Sequence, residues 1–250
     1  MRCVAFVGFV AFVVLALGLA CGVASAGPVL VPVLQERSIS VAARVFNEKE
    51  SDSRTADSFG EFDQSLTVHP IKIVSGERHA SQGNASQKST ITSGAFAFSG
   101  GVYAQSIHPA DSDAIGRSLF DVTFDVADAA DYSLDGFLRN AGDTPAAGKL
   151  EFTRLEDGAV LFKTNAAEEP IAQSGRLEAG AYRLVLDAGG VGNSSAAGGG
   201  IDYELTFAAS AAAAPTAIPL PPPVWGGLSA LVLMVAMPRA RKLIRGPLPG

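Results

Sequence analysis

The chain has 250 residues and only two cysteines, Cys3 and Cys21, so no thiol follows position 21. This excludes a cysteine nucleophile, a cysteine-ligated zinc and an iron–sulfur cluster from the body, whose fold must rest on a packed core instead of disulfides. Five of the 19 basic residues lie near the termini (Arg2, Arg239, Arg241, Lys242, Arg245), leaving 14 against 25 acidic residues, a net of −11 that repels nucleic acid and anionic lipid.

The first 26 residues read as a signal peptide: Arg2, then an apolar run over 4–20, then Ala24-Ser25-Ala26 as small residues at a cleavage site. The predicted cut by signal peptidase falls between Ala26 and Gly27. Lipoprotein processing at Cys21 is the competing reading, although Gly18 stands where a lipobox carries leucine. A retained N-terminal helix is a third, which Ala24-Ser25-Ala26 opposes.

The body, taken as residues 27–210, reads as strands. Residues 27–34 are an extended lead-in, and residues 38–46 form a first strand with Ile39 and Val41 on one face. Residues 47–65 and 77–88 are polar and read as loops. Residues 66–74 alternate but contain Pro70, which marks an edge or bent strand. Residues 90–98 form a strand ending at Gly100-Gly101. Over 119–126, Phe120, Val122, Phe124 and Val126 share one face and Asp121, Thr123 and Asp125 the other, the two-residue period of a half-buried strand. Tyr132, Leu134 and Leu138 continue this pattern, with Phe137 out of phase. Glu156-Asp157-Gly158 between two strand-like runs signals a hairpin. Tyr182, Leu184 and Leu186, then Ile201, Tyr203, Leu205 and Phe207, complete the inward-facing set. The Gly/Ser-rich stretch 189–200 reads as a flexible loop, and no G-K-[ST] follows it to make a phosphate cradle. The body shows no amphipathic helix. The expected class is all-β: an antiparallel, jelly-roll-like β-sandwich flanked by the signal peptide and a C-terminal apolar helix. The run S-G-R-L-E-A-G-A-Y-R-L-V-L, residues 174–186, resembles a pattern in exported bacterial jelly-roll-like domains, where a leucine strand, a Gly turn and a Tyr strand precede the final strand.

Residues 211–217 read as a linker and 218–250 as a tripartite tail. Pro219, Pro221, Pro222 and Pro223 hold the backbone extended. An uncharged run follows, with Trp225 at its entrance, and it approaches membrane-spanning length when counted from Ile218 to Pro238. Arg239, Arg241, Lys242 and Arg245 form a cationic stop. This order resembles the PEP-CTERM sorting signal read by exosortase enzymes in Gram-negative bacteria. Ile218, Pro219, Leu220 and Pro221 occupy the motif, with Ile in place of the usual Val and two extra prolines after it. The resemblance implies a tail that tethers the precursor to the inner membrane and is then removed by exosortase, releasing the body to the cell surface or matrix. An ordinary retained anchor is the alternative.

Chemistry is sparse. His69, His79 and His108 lack metal-ligand spacing, and there is no G-x-S-x-G elbow. Asp111 and Asp113 are candidate calcium ligands in an acidic turn, although no complete calcium loop surrounds them. Asp128 with Asp131 and Glu168-Glu169 are further turn carboxylates. Tyr103 is the one tyrosine of the body outside the inward phase, and so the one candidate for stacking on a sugar ring. The expected function is a non-catalytic surface or matrix protein associated with exopolysaccharide. A calcium- or glycan-binding module is the alternative, and a polysaccharide hydrolase the third possibility.

Overall fold

The computed structural model describes residues 29–107, 112–143, 146–165, 170–192 and 198–212. The signal peptide with its Ala26–Gly27 site, His108, Asp111, Glu168-Glu169 and the whole tail from Ile218 to Arg245 lie outside the described residues.

Thirteen strands are described: β1 (Leu30–Val45), β2 (Glu48–Thr55), β3 (Phe62–Val68), β4 (Ile71–Val74), β5 (Glu77–Ile91), β6 (Ala95–Ile107), β7 (Ser112–Val126), β8 (Ala130–Gly142), β9 (Ala147–Arg154), β10 (Val160–Asn165), β11 (Ile171–Leu177), β12 (Gly180–Gly192) and β13 (Gly198–Ala211). They form an antiparallel β-sandwich. One sheet has the order β10-β9-β12-β7-β1-β2, and the other β11-β8-β13-β6-β5-β3 with β4 also paired to β5. From β6 onward the chain passes repeatedly from one sheet to the other, in jelly-roll manner.

The strong alternation of residues 119–126 lies in β7, the centre of the first sheet, and Phe120, Val122 and Phe124 are fully buried. Tyr182, Leu184, Leu186, Ile201, Tyr203, Leu205 and Phe207 are buried as their period requires. The Glu156-Asp157-Gly158 hairpin joins β9 to β10, with Gly158 at φ +69°. Pro70 separates β3 from β4 along the edge beside β5, and its carbonyl accepts the Ser81 amide at 3.2 Å. β11, the Gly180 turn and β12 follow the leucine–Gly–Tyr order, and the Tyr182 hydroxyl donates to the Glu178 carbonyl at 2.9 Å, pinning that turn.

Several expected loops are strands. Residues 77–88 belong to β5, a 15-residue strand inside the second sheet. Residues 47–65 contain β2 and the start of β3. Residues 90–98 hold the turn between β5 and β6, and β6 runs straight through Gly100-Gly101. Much of 189–200 is the end of β12 and the start of β13, and the lead-in before residue 35 is the first part of β1, paired to β7. One physical reason covers Gly83 of β5 with Gly116, Gly190 and Gly192: at this end of the sandwich the two sheets nearly touch. A Cβ at Gly116 would stand 2.7 Å from the Asn84 carbonyl oxygen of the opposite sheet, one at Gly83 3.0 Å from the Ile115 oxygen, and one at Gly192 2.6 Å from the Gln105 nitrogen. Strands that must pass this close carry Gly, Ala and Ser inward, so no hydrophobic period appears.

The other end is thick with rings. Phe124 lies 5.1 Å from Phe96, 5.4 Å from Phe207, 5.9 Å from Tyr182 and 6.2 Å from Phe152, while Phe98 stacks on Phe120 at 4.1 Å. The body is thus a wedge, aromatic at one end and glycine-pinched at the other. The first and last described residues lie at the aromatic end: the Leu30 amide donates to the Ser93 carbonyl and the Ala212 amide to that of Ala129.

Candidate functional site

The outer face of the first sheet, over the pinched end, carries a trench. Its centre is Ile115 and Arg117, two outward positions of β7 on either side of Gly116. In register beside them stand Val191 and Gly189 on β12, and Ala42 and Ser40 on β1; Ala147 of β9 and Ser51 and Ser53 of β2 extend the rows. Because these neighbours are small, the sheet surface is hollowed across its strands. Two hollows, of about 640 and 540 Å³, meet at Ile115, Gly116 and Arg117. Together they run from Asn165 on β10 to Ser53 on β2, roughly 24 Å at ordinary strand spacing.

The lining alternates apolar and hydrogen-bonding groups. Ile115 and Val191 are 54% and 45% exposed, a bare apolar step. Next to them Arg117 makes a bidentate pair with Asp187, both bonds 2.8 Å. Hydrogen bonding to Asp187 raises the Arg117 pKa, so the guanidinium is charged at all working pH values. Lys149 lies at the rim with its ammonium 2.8 Å from Glu151, and that bond holds the Glu151 carboxyl below its usual range. The two carboxylates within the trench, Asp187 and Asp52, are each held by an arginine, Arg117 and Arg54. The trench therefore offers a fixed array of donors and acceptors beside exposed aliphatic carbon.

The acidic candidates are placed differently. Asp113 lies on β7, more than half exposed, with its carboxylate 2.5 Å from Arg44 Nε and its carbonyl accepting from the Ser81 hydroxyl at 2.7 Å. His69 sits between β3 and β4, where its amide donates to Glu50, and His79 packs edge-on against Phe46 with centroids 4.8 Å apart. Among the described residues no group of three or more His, Cys, Asp or Glu is placed to hold a metal ion. Tyr103, the tyrosine outside the inward phase, is on β6 in the second sheet and faces outward. The trench residues precede the stretch of strong hydrophobic alternation, which begins at Leu119, although β7 itself begins at Ser112. The outward alternation Ile115, Arg117, Leu119 was the available signal, hidden by Gly116.

No family model and no curated protein matches the chain. Among solved structures, a mutant of the carbohydrate-binding module CBM29-2 aligns over 59% of this chain and 87% of its own, at 9% identity and TM-score 0.21. The CBM22-1 xylan-binding domain of Paenibacillus barcinonensis Xyn10C aligns over 68% and 94%, at 13% identity and TM-score 0.22. The GH31 alpha-xylosidase of Xanthomonas citri aligns over 60% of this chain and 27% of its own, at 7% identity and TM-score 0.17. Scores this low carry no argument about fold or function.

Proposed function

We propose that this chain is an exported, non-catalytic β-sandwich that holds a neutral polysaccharide strand in the trench across its six-stranded sheet, at the surface or in the matrix of a Gram-negative-type cell. The trench supports this reading best. A pyranose presents C–H faces and hydroxyl edges. Ile115 and Val191 suit the former, while Arg117, Asp187, Lys149 and Asn165 suit the latter. An elongated hollow open at both ends takes a polymer better than a small molecule. The body's net charge of −11 favours a neutral glycan over an anionic one. Export rests on the N-terminal signal and on the tail that resembles an exosortase substrate.

Affinity electrophoresis of the full chain in mild detergent tests the binding claim, with a mixed-linkage β-glucan, a galactomannan and dextran in the gel and alginate as the anionic control. Retardation by a neutral polymer is expected, weakened roughly tenfold, a change of about 1.4 kcal/mol, by Arg117→Ala or by Gly189→Tyr. The Gly189 substitution is tolerable because its Cβ meets nothing closer than 3.5 Å. Retardation unchanged by both variants would remove the trench from the function. Intact-mass analysis of the outer fraction tests sorting: a species still containing Trp225 would contradict tail removal.

A further inference from the structure

The second sheet carries an independent surface directly behind the trench. Its centre is Tyr103, opposite Asn84 of β5 and Gly200 of β13. The ring reaches across β13 over Gly198, where a Cβ would stand 2.1 Å from the phenolic oxygen and 2.5 Å from Cζ. It continues toward Gly142, whose Cβ would meet Cε2 at 3.1 Å. Tyr103 is half-buried and lines a hollow of about 410 Å³ together with Asn84, Ser86, Thr67 and Asp202. Gln82 donates to the Asn84 amide oxygen at 3.3 Å and so orients that amide. Arg139 stands 3.7 Å from the Asp202 carboxylate.

We infer that Tyr103 and its hollow form a second glycan site, and that the protein cross-links two neutral polysaccharide strands, one on each face of the sandwich. An aromatic ring laid along a sheet offers a stacking surface for a sugar's C–H face, and a flanking amide and carboxylate reach its hydroxyls. Anionic sugars are disfavoured by Asp202 and by the net charge. The pinch gives the arrangement its geometry. A Cβ at Gly190 would lie 3.3 Å from the Tyr103 carbonyl carbon, and one at Gly116, between the two central trench residues, 3.6 Å from the Tyr103 oxygen. Little more than two backbones separates the sites, so two polymers would be held side by side.

The inference rests on the trench reading, and its test separates the two. The full chain in mild detergent is mixed with the neutral polysaccharide that retards it, and both retardation and polymer turbidity are measured. The wild type is expected to do both. Tyr103→Ser and, independently, Asn84→Ala should abolish turbidity while retardation falls by less than roughly tenfold; Tyr103→Phe, which keeps the ring, should retain turbidity. Gly189→Tyr should also abolish turbidity, leaving residual retardation that Tyr103→Ser then removes. Asn84→Ala guards against a Tyr103 variant that merely unfolds. If Tyr103→Ser and Asn84→Ala, both folded by circular dichroism, leave both readouts unchanged, the second site is overturned and the trench stands. If they abolish retardation while Gly189→Tyr does nothing, the trench falls and the Tyr103 site remains as a single site. If no neutral polymer retards the wild type, both are overturned.

Discussion

The guanidinium of Arg37 on β1 donates to both the hydroxyl and the carbonyl of Ser89 on β5, at 3.2 and 3.3 Å, and so ties one sheet to the other through the core. Arg37 is fully buried and no carboxylate is among its hydrogen-bond acceptors: the rest are Gln35 Oε1 at 2.8 Å, the Gly60 carbonyl at 2.8 Å and the Ser58 carbonyl. Phe62 lies under it, 5.8 Å from ring centre to guanidinium carbon. Burial lowers its pKa from the usual value. A covalently attached cation thus organises the loop between β2 and β3.

Removing that cation should be costly. Arg37→Met leaves the Ser58, Gly60 and Ser89 oxygens without their donor; at about 1–3 kcal/mol for each buried acceptor left unsatisfied, a loss of about 3–5 kcal/mol is expected. Arg37→Lys keeps the charge but not the planar fork, and should lose about 1–3 kcal/mol. Urea unfolding gives both values. Limited proteolysis should also find new cleavage between residues 56 and 61 in the Met variant. Equal stability of Arg37→Met and wild type would show that the oxygen cage contributes nothing.

The pinch makes a second prediction. Gly116→Ala places a methyl 2.7 Å from the backbone oxygen of Asn84, so either the sheets separate or the strand bends. A loss of about 1–3 kcal/mol is expected by urea unfolding. Gly94→Ala is the control, because a Cβ there meets nothing within 4 Å. Its stability should lie within about 0.5 kcal/mol of wild type, as for a surface change. Similar losses from the two variants would mean that the sheets are not in contact at Gly116.

The same pinch explains what the sequence could and could not reveal. β7, β12 and β13 were legible because their inward positions at the thick end are Phe, Tyr, Leu and Val. β5 was not: its inward residues Gly83, Ala85, Gln87 and Ser89 are small or polar where the facing sheet is near or where Arg37 needs acceptors. Gly100-Gly101 looks like punctuation between strands for a separate reason: within the second sheet a Cβ at Gly101 would stand 2.7 Å from Asp202 Oδ1 of the adjacent β13, so β6 needs glycine there and runs on to Tyr103. The trench depends on side chains from six strands meeting in register, and strand order is not written in any local pattern. Ile115 and Arg117 were visible as residues but not as neighbours of Val191 and Asp187.

Tyr203 links the sheets a second time, through a 2.7 Å hydrogen bond to the Ser118 hydroxyl. Burial pushes its phenol well above the usual range, with the Ser118 bond opposing the shift only in part. The unfolded chain loses this proton near pH 10 and the folded chain does not. Stability from this group is therefore whole below about pH 10 and falls as pH rises above it. Tyr203→Phe should cost about 1 kcal/mol at pH 7 and should flatten the alkaline decline of the melting temperature. An identical alkaline slope in the variant would show that Tyr203 is not the group responsible.

Asp157 sets the opposite limb. In the β9–β10 hairpin its carboxylate pairs with the Arg154 guanidinium and accepts the Ala159 amide at 3.1 Å. The Arg154 bond, then the Ala159 bond, pulls its pKa from the ordinary aspartate range down to about 2. A depressed folded pKa means a contribution present above the unfolded value and lost as pH falls from near 4 through 2. The side chain is exposed, so salt should weaken the effect. Carbon-detected NMR titration should place the Asp157 midpoint near 2. The difference in melting temperature between wild type and Asp157→Asn should shrink over the same interval. A midpoint near 4 would mean that Arg154 and the Ala159 amide do not hold the carboxylate in solution, and that the hairpin is fixed by Gly158 and strand pairing alone.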